Sequence, residues 1–255
     1  MIPAARLIAV LLSVWLSGCD AAGSGHPWLH ELDAGEGVRQ SGARLMALAE
    51  GLHPLEPSAS STEILIGVHG FRSEGYEWVY PLQRLDTEST GTWFYRWDYS
   101  GCPAAAAQRL VAAINDLVTP ATRKIHLIGH SYGGIVLATI VEDWPVAVPV
   151  DVHIVAAPLA GLQTPSRCRY ETPTSIDAGV SLFQWRTRHA LDGAFKDLPE
   201  DPQNISLAGS AVTRLPAQYK SHRLGHNRSL SWVADSIAGA RNPVLSSPAA
   251  APLPQ

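Results

Sequence analysis

The chain has 255 residues, 46% hydrophobic and 16% charged, with a formal net charge of −4. That is enough apolar material for one sizeable core. The balance carries no basic patch of the kind a nucleic-acid binder needs, and the scattered aromatics form no repeat.

In chain order, the first segment reads as a targeting signal. Arg6 precedes an apolar run from Leu7 to Leu16, then Ser17-Gly18-Cys19. A basic start, a short apolar stretch and small residues make a secretory signal too short to span a membrane comfortably. Leu16-Ser17-Gly18-Cys19 resembles the lipobox of bacterial lipoproteins. The resemblance implies cleavage before Cys19, lipid on its thiol and an exported, membrane-anchored protein of the bacterial envelope, facing the periplasm. An ordinary signal peptide with an incidental Cys19 is the plainer alternative. Residues 1–18 are thus expected to be signal, and 19–61 a tether followed by a helix and a loop. Cys102 and Cys168 remain, and oxidising surroundings favour a disulfide between them, against two unrelated thiols.

Helical spacing runs over 38–51, and 53–61 is rich in Pro and Ser, as a loop would be. Strands are expected over 63–68, 92–97, 124–129, 150–156 and 181–185, with a sixth over 205–208. The run 63–68 is continuously apolar, as for a strand buried on both faces. Helices are expected over 76–85, despite Pro81, and over 104–118, 132–142 and 230–237. The alternation predicts an α/β fold, a mostly parallel sheet of about six strands flanked by helices. Ligands of such sheets bind beyond the carboxyl ends of the strands.

The reactive residue types fall at those ends. Gly129-His130-Ser131-Tyr132-Gly133-Gly134 lies between a strand and a helix, where G-x-S-x-G makes a sharp turn that lifts a serine hydroxyl above the sheet. Val68-His69-Gly70-Phe71 ends the first strand. The N–H groups of Phe71 and Tyr132 are the expected oxyanion donors. Together with Trp97-Asp98-Tyr99 and Gly225-His226, these residues resemble the α/β-hydrolase family over about residues 62–240. The resemblance implies a serine esterase or lipase-like hydrolase without metal or organic cofactor, acting on a small-molecule or lipid ester. It implies Ser131 as nucleophile, an acid after the strand at 181–185 and a histidine after the last strand. Asp192, in an Asp-Gly turn, is the first choice of acid and Asp197 the second. Asp177 precedes the strand and reads as a surface or capping residue. His226 is preferred to His222 as the base, and a metal shared by these two histidines lacks a third ligand. His126, His130 and His153 read as structural.

Two departures from the family are expected. Its usual first two strands are missing before residue 62, and residues 158–179 make a short flap that a Cys102–Cys168 bridge would pin. An amidase, thioesterase or acyltransferase could use the same triad, and a non-catalytic envelope lipoprotein could use the fold as a binding module. The Pro/Ala-rich tail, 241–255, is expected to lack order.

Overall fold

The computed structural model describes residues 25–57, 61–161 and 168–241. The signal segment, Cys19 and almost all of the tail lie outside the described residues.

Nine strands and five helices are described: β1 (Gly51–Pro54), β2 (Glu63–Val68), β3 (Thr90–Arg96), β4 (Lys124–His130), β5 (Val150–Val155), β6 (Val180–Arg186), β7 (Ala211–Arg214), β8 (Gln218–Tyr219), β9 (His222–Arg223), α1 (Val38–Met46), α2 (Tyr76–Leu85), α3 (Pro103–Leu117), α4 (Tyr132–Ala138) and α5 (Ser229–Arg241). Strands β1 to β7 form one sheet in the order β1-β3-β2-β4-β5-β6-β7, and β8 and β9 make a separate hairpin. Only β1 runs antiparallel to its neighbour in the large sheet.

The strand period of two divides the core between the two faces. Ile64, Ile66 and Val68 turn towards α3 and α4, while Leu65 joins Trp78, Leu82 and Phe94 and the buried residues of α5 on the other side. Helix α2 continues through Pro81, which is itself buried. The apolar face of Trp78, Val79, Leu82 and Leu85 outweighs the one backbone bond that proline removes. Helix α3 opens on Pro103, a position where the missing N–H costs nothing.

The sheet departs from expectation at both edges. It has seven strands, one more than expected, because residues 51–54 pair with β3 where the sequence reads as the end of a helix followed by a loop. The last strand lies at 211–214, not at 205–208. Ile205 and Leu207 look strand-like because they pack on the core from a loop. Helix α4 ends at Ala138, although the apolar run continues through the buried Ile140 and Val141.

Parallel registry sets the ends of β2, β4 and β5 side by side. Val68 pairs with Gly129, and His130 with Val155. The turns after these strands therefore meet at one edge of the sheet.

Candidate active site

Ser131 joins β4 to α4 with φ 53° and ψ −122°, a conformation an L-residue holds only when its surroundings demand it. Those surroundings are glycine. A Cβ on Gly129 would lie 2.6 Å from Gly133 O, and one on Gly133 would lie 2.2 Å from Val68 O. A Cβ on Gly134 would lie 2.5 Å from the Cβ of Ala157. The backbone N–H of Ser131 donates to Val155 O at 2.8 Å, which ties the turn to β5.

Gly70, beyond the end of β2, presses directly on this turn. A Cβ there would meet His130 O at 2.8 Å, Ser131 Cβ at 2.9 Å and the N of Tyr132 at 3.3 Å. Neither the N–H of Phe71 nor that of Tyr132 donates to an acceptor among the described residues. Two unspent donors thus lie on neighbouring segments beside the serine.

His69 holds the first of these segments. It is fully buried, and its Nε2 accepts from the Arg96 guanidinium at 2.7 Å and from the N–H of Trp97 at 3.2 Å. That assigns the proton to Nδ1, which donates to Gly70 O at 2.9 Å. Burial holds the imidazole down to about 4, so it stays neutral. The indole N–H of Trp97 donates to His69 O at 2.8 Å.

Asp192 follows β6 and a short helical turn, and it is completely buried. Its carboxylate lies 2.9 and 3.0 Å from Nδ1 of His226, 34 residues further on. The Thr187 hydroxyl and the N–H of Ala194 also donate to it. Burial alone would raise this carboxyl. The hydrogen bond and charge of His226, with the other two donors, outweigh it and hold Asp192 below the usual carboxylate range. Gln203 supports the arrangement from behind, accepting the N–H of Thr187 at 2.9 Å.

His226 precedes α5. The rings of Phe195 and His226 meet nearly at right angles with centroids 5.0 Å apart, and the ring centroid of His130, the neighbour of Ser131, lies 4.7 Å from that of His226. His130 Nε2 donates to His226 O at 3.1 Å, so the serine turn and the histidine loop are strapped together. Burial pushes His130 down to about 3, which makes it a neutral strap.

The other candidates stand apart. Asp197 is exposed and pairs with Lys196 at 2.8 Å. His222 is exposed in the β8–β9 hairpin, and Asp177 accepts the N–H of Gly179 at 2.7 Å. His189, which the sequence places near the acid loop as a residue that could line the pocket, spends Nε2 on Phe195 O at 2.6 Å. Among the described residues, no group of three or more His, Cys, Asp and Glu side chains could hold a metal ion. Sequence reasoning missed Thr187, Gln203 and Arg96, whose partners come from distant segments that no spacing announces.

Cys102 and Cys168 are joined by a disulfide, with Cα atoms 5.2 Å apart. The segment after Cys168 is fastened down as well. Tyr170 and Thr172 both donate to Leu159 O, and Thr174 and Ser175 donate to Glu142. Residues 162–167 of the expected flap lie outside the described residues.

The model of a family described as alpha/beta hydrolase matches residues 65–252. No curated protein matches the chain. Among solved structures, alpha/beta hydrolase domain-containing protein 10 from mouse is similar at TM-score 0.50 and 10% identity, over 76% of this chain and 94% of its own. The type II thioesterase BorB from the borrelidin biosynthetic cluster gives 0.50 and 12%, over 75% and 94%. A structure from the work on the metagenome-derived lipolytic enzymes LipS and LipT gives 0.50 and 11%, over 80% and 97%. At these identities the likeness is one of fold.

Proposed function

The chain belongs to the alpha/beta hydrolase family, and on that premise we propose that it is a serine hydrolase cleaving a carboxylic ester of a small molecule or lipid. Ser131 attacks the carbonyl carbon while Nε2 of His226 takes its proton. Asp192 orients the imidazole through Nδ1 and stabilises the imidazolium that forms. The N–H groups of Phe71 and Tyr132 receive the oxyanion of the tetrahedral intermediate. His226 then returns the proton to the departing alcohol. Water, activated by the same imidazole, releases the acyl group from Ser131.

The observation that carries this reading is the buried Asp192 at 2.9 Å from Nδ1 of His226. An imidazole with a carboxylate on Nδ1 keeps Nε2 as the working base. His226 is in turn strapped to the residue before Ser131.

We further propose export and anchoring through a lipid on Cys19. The signal segment supports this, and so does a disulfide, a bond that persists in oxidising compartments.

The test is a fluorophosphonate probe on the full-length chain in detergent, with the adduct located by mass spectrometry. The expected result is labelling of Ser131, absent in Ser131→Ala and weakened in His226→Ala. A folded protein that takes no label would count against the reading.

A further inference from the structure

The two oxyanion donors are fixed in different ways. The N–H of Tyr132 opens α4, in a turn packed tightly around Gly129, Gly133 and Gly134. Phe71 lies outside any helix or strand and is 54% exposed, so burial does not fix its N–H. Its peptide unit does. The C=O of Gly70 and the N–H of Phe71 belong to one planar trans unit, so holding the first aims the second the opposite way. Gly70 O accepts from His69 Nδ1 at 2.9 Å and from the N–H of Ser73 at 3.4 Å.

The imidazole that holds Gly70 O is itself held. The rings of Phe94, Trp97 and Tyr99 enclose it, with centroids 6.0, 6.0 and 6.4 Å away. Arg96, at the end of β3, donates from Nη1 to His69 Nε2 at 2.7 Å and from Nε to Met46 O, at the end of α1, at 3.1 Å. A half-buried guanidinium ordinarily finds a carboxylate. Arg96 takes part in none of the ion pairs among the described residues. It is turned instead on the lone pair of a neutral imidazole.

We propose that Arg96 is a positioning residue for the oxyanion. Its guanidinium donates to His69 Nε2, His69 Nδ1–H donates to Gly70 O, and that peptide unit turns the Phe71 N–H towards the developing charge. The cation also polarises the chain in one direction. An imidazole that accepts from a guanidinium is a stronger donor at Nδ1, and a peptide oxygen that accepts from it leaves a more positive N–H. The inference rests on the serine-hydrolase reading and adds the group that aims one of its two donors.

Arg96→Met keeps much of the length of the side chain and removes its charge and its donors. The measurement is kcat/KM for a 4-nitrophenyl ester and for the thiono ester of the same acyl chain, with active sites counted by fluorophosphonate. Sulfur is larger and a weaker acceptor than oxygen, so donors placed for an oxyanion favour the oxo ester. In Arg96→Met, kcat for the oxo ester is expected to fall about tenfold or more, with KM little changed, and the oxo-to-thiono ratio to fall about fivefold or more. A merely structural role would lower both esters in proportion and leave the ratio alone. If Arg96→Met does not fold, Arg96→Gln, also uncharged, decides by the same ratio. A folded variant with the wild-type ratio overturns the inference. The hydrolase reading fails separately, in the wild type, if Ser131 takes no fluorophosphonate, and the inference falls with it.

Discussion

Both carboxylate oxygens of Asp192 lie within 3.0 Å of a single nitrogen of His226, Nδ1. The contact spans the end of β6 and the start of α5, so it exists only when the sheet has closed. Asparagine is close to aspartate in shape, but its amide can present N–H to Nδ1 and reverse the tautomer. Asp192→Asn is therefore expected to lower kcat about 10⁴-fold while the chain stays folded. Asp197→Asn, which alters an exposed pair with Lys196, should leave kcat within a factor of about two. Steady-state kinetics on one activated ester compares them, and equal losses would reject Asp192 as the acid.

Gly70 offers a steric test of the donors. Alanine there would bring a methyl to 2.9 Å from Ser131 Cβ and 2.8 Å from His130 O, and both belong to a rigid turn. The 70–75 segment must then retreat and carry the Phe71 N–H with it. Gly70→Ala is expected to lower kcat by about 10² or more, with a stability loss of about 1–3 kcal/mol from overpacking. An enzyme of normal kcat would show that Phe71 holds no oxyanion.

The sequence showed the central strands because burial on both faces leaves a continuous apolar run, as in Ile64-Leu65-Ile66. It showed the serine turn because close backbone approach admits only glycine at 129, 133 and 134. The edges were hidden for the opposite reason. Strand β1 is only half buried and ends in proline, and β7 is mostly exposed, so neither carries a pattern. Thr187, Gln203 and Arg96 were illegible in another way. Their roles depend on burial and on partners from other segments, which residue type does not encode.

Four histidines are buried among the described residues, and three of them, held furthest below the ordinary range, make the fold acid-labile. Burial is the largest cause in each case and holds His69 to about 4 and His130 and His153 to about 3. In the unfolded chain they titrate near about 6.5. As pH falls below that value, the unfolded state takes up protons that the folded state refuses. Stability is thus complete above the unfolded pKa and is lost down to the folded values. Relative to pH 7.5, the three together remove about 4 kcal/mol by pH 5.5. Urea denaturation at the two pH values measures this directly. Equal stabilities would mean that these side chains take up protons inside the fold.

The disulfide should matter more for stability than for chemistry. It closes a loop with a sequence separation of 66, for which the chain-entropy model gives about 4 kcal/mol. Replacing both Cys102 and Cys168 by serine is expected to lower Tm by about 10 °C in a chain of this size. The contacts of Asp192 with His226 and of Gly70 with Ser131 do not pass through the bond, so kcat for a short ester should stay within about twofold of wild type. Preference among acyl chains is the more sensitive readout. Cys102 follows the turn that carries Tyr99, whose ring meets Phe71 edge-on at 5.2 Å. Freeing the 168–177 segment from that turn should therefore change the ratio of kcat/KM for long and short esters. If the double variant keeps both its Tm and that ratio, the bond neither stabilises the fold nor holds a flap.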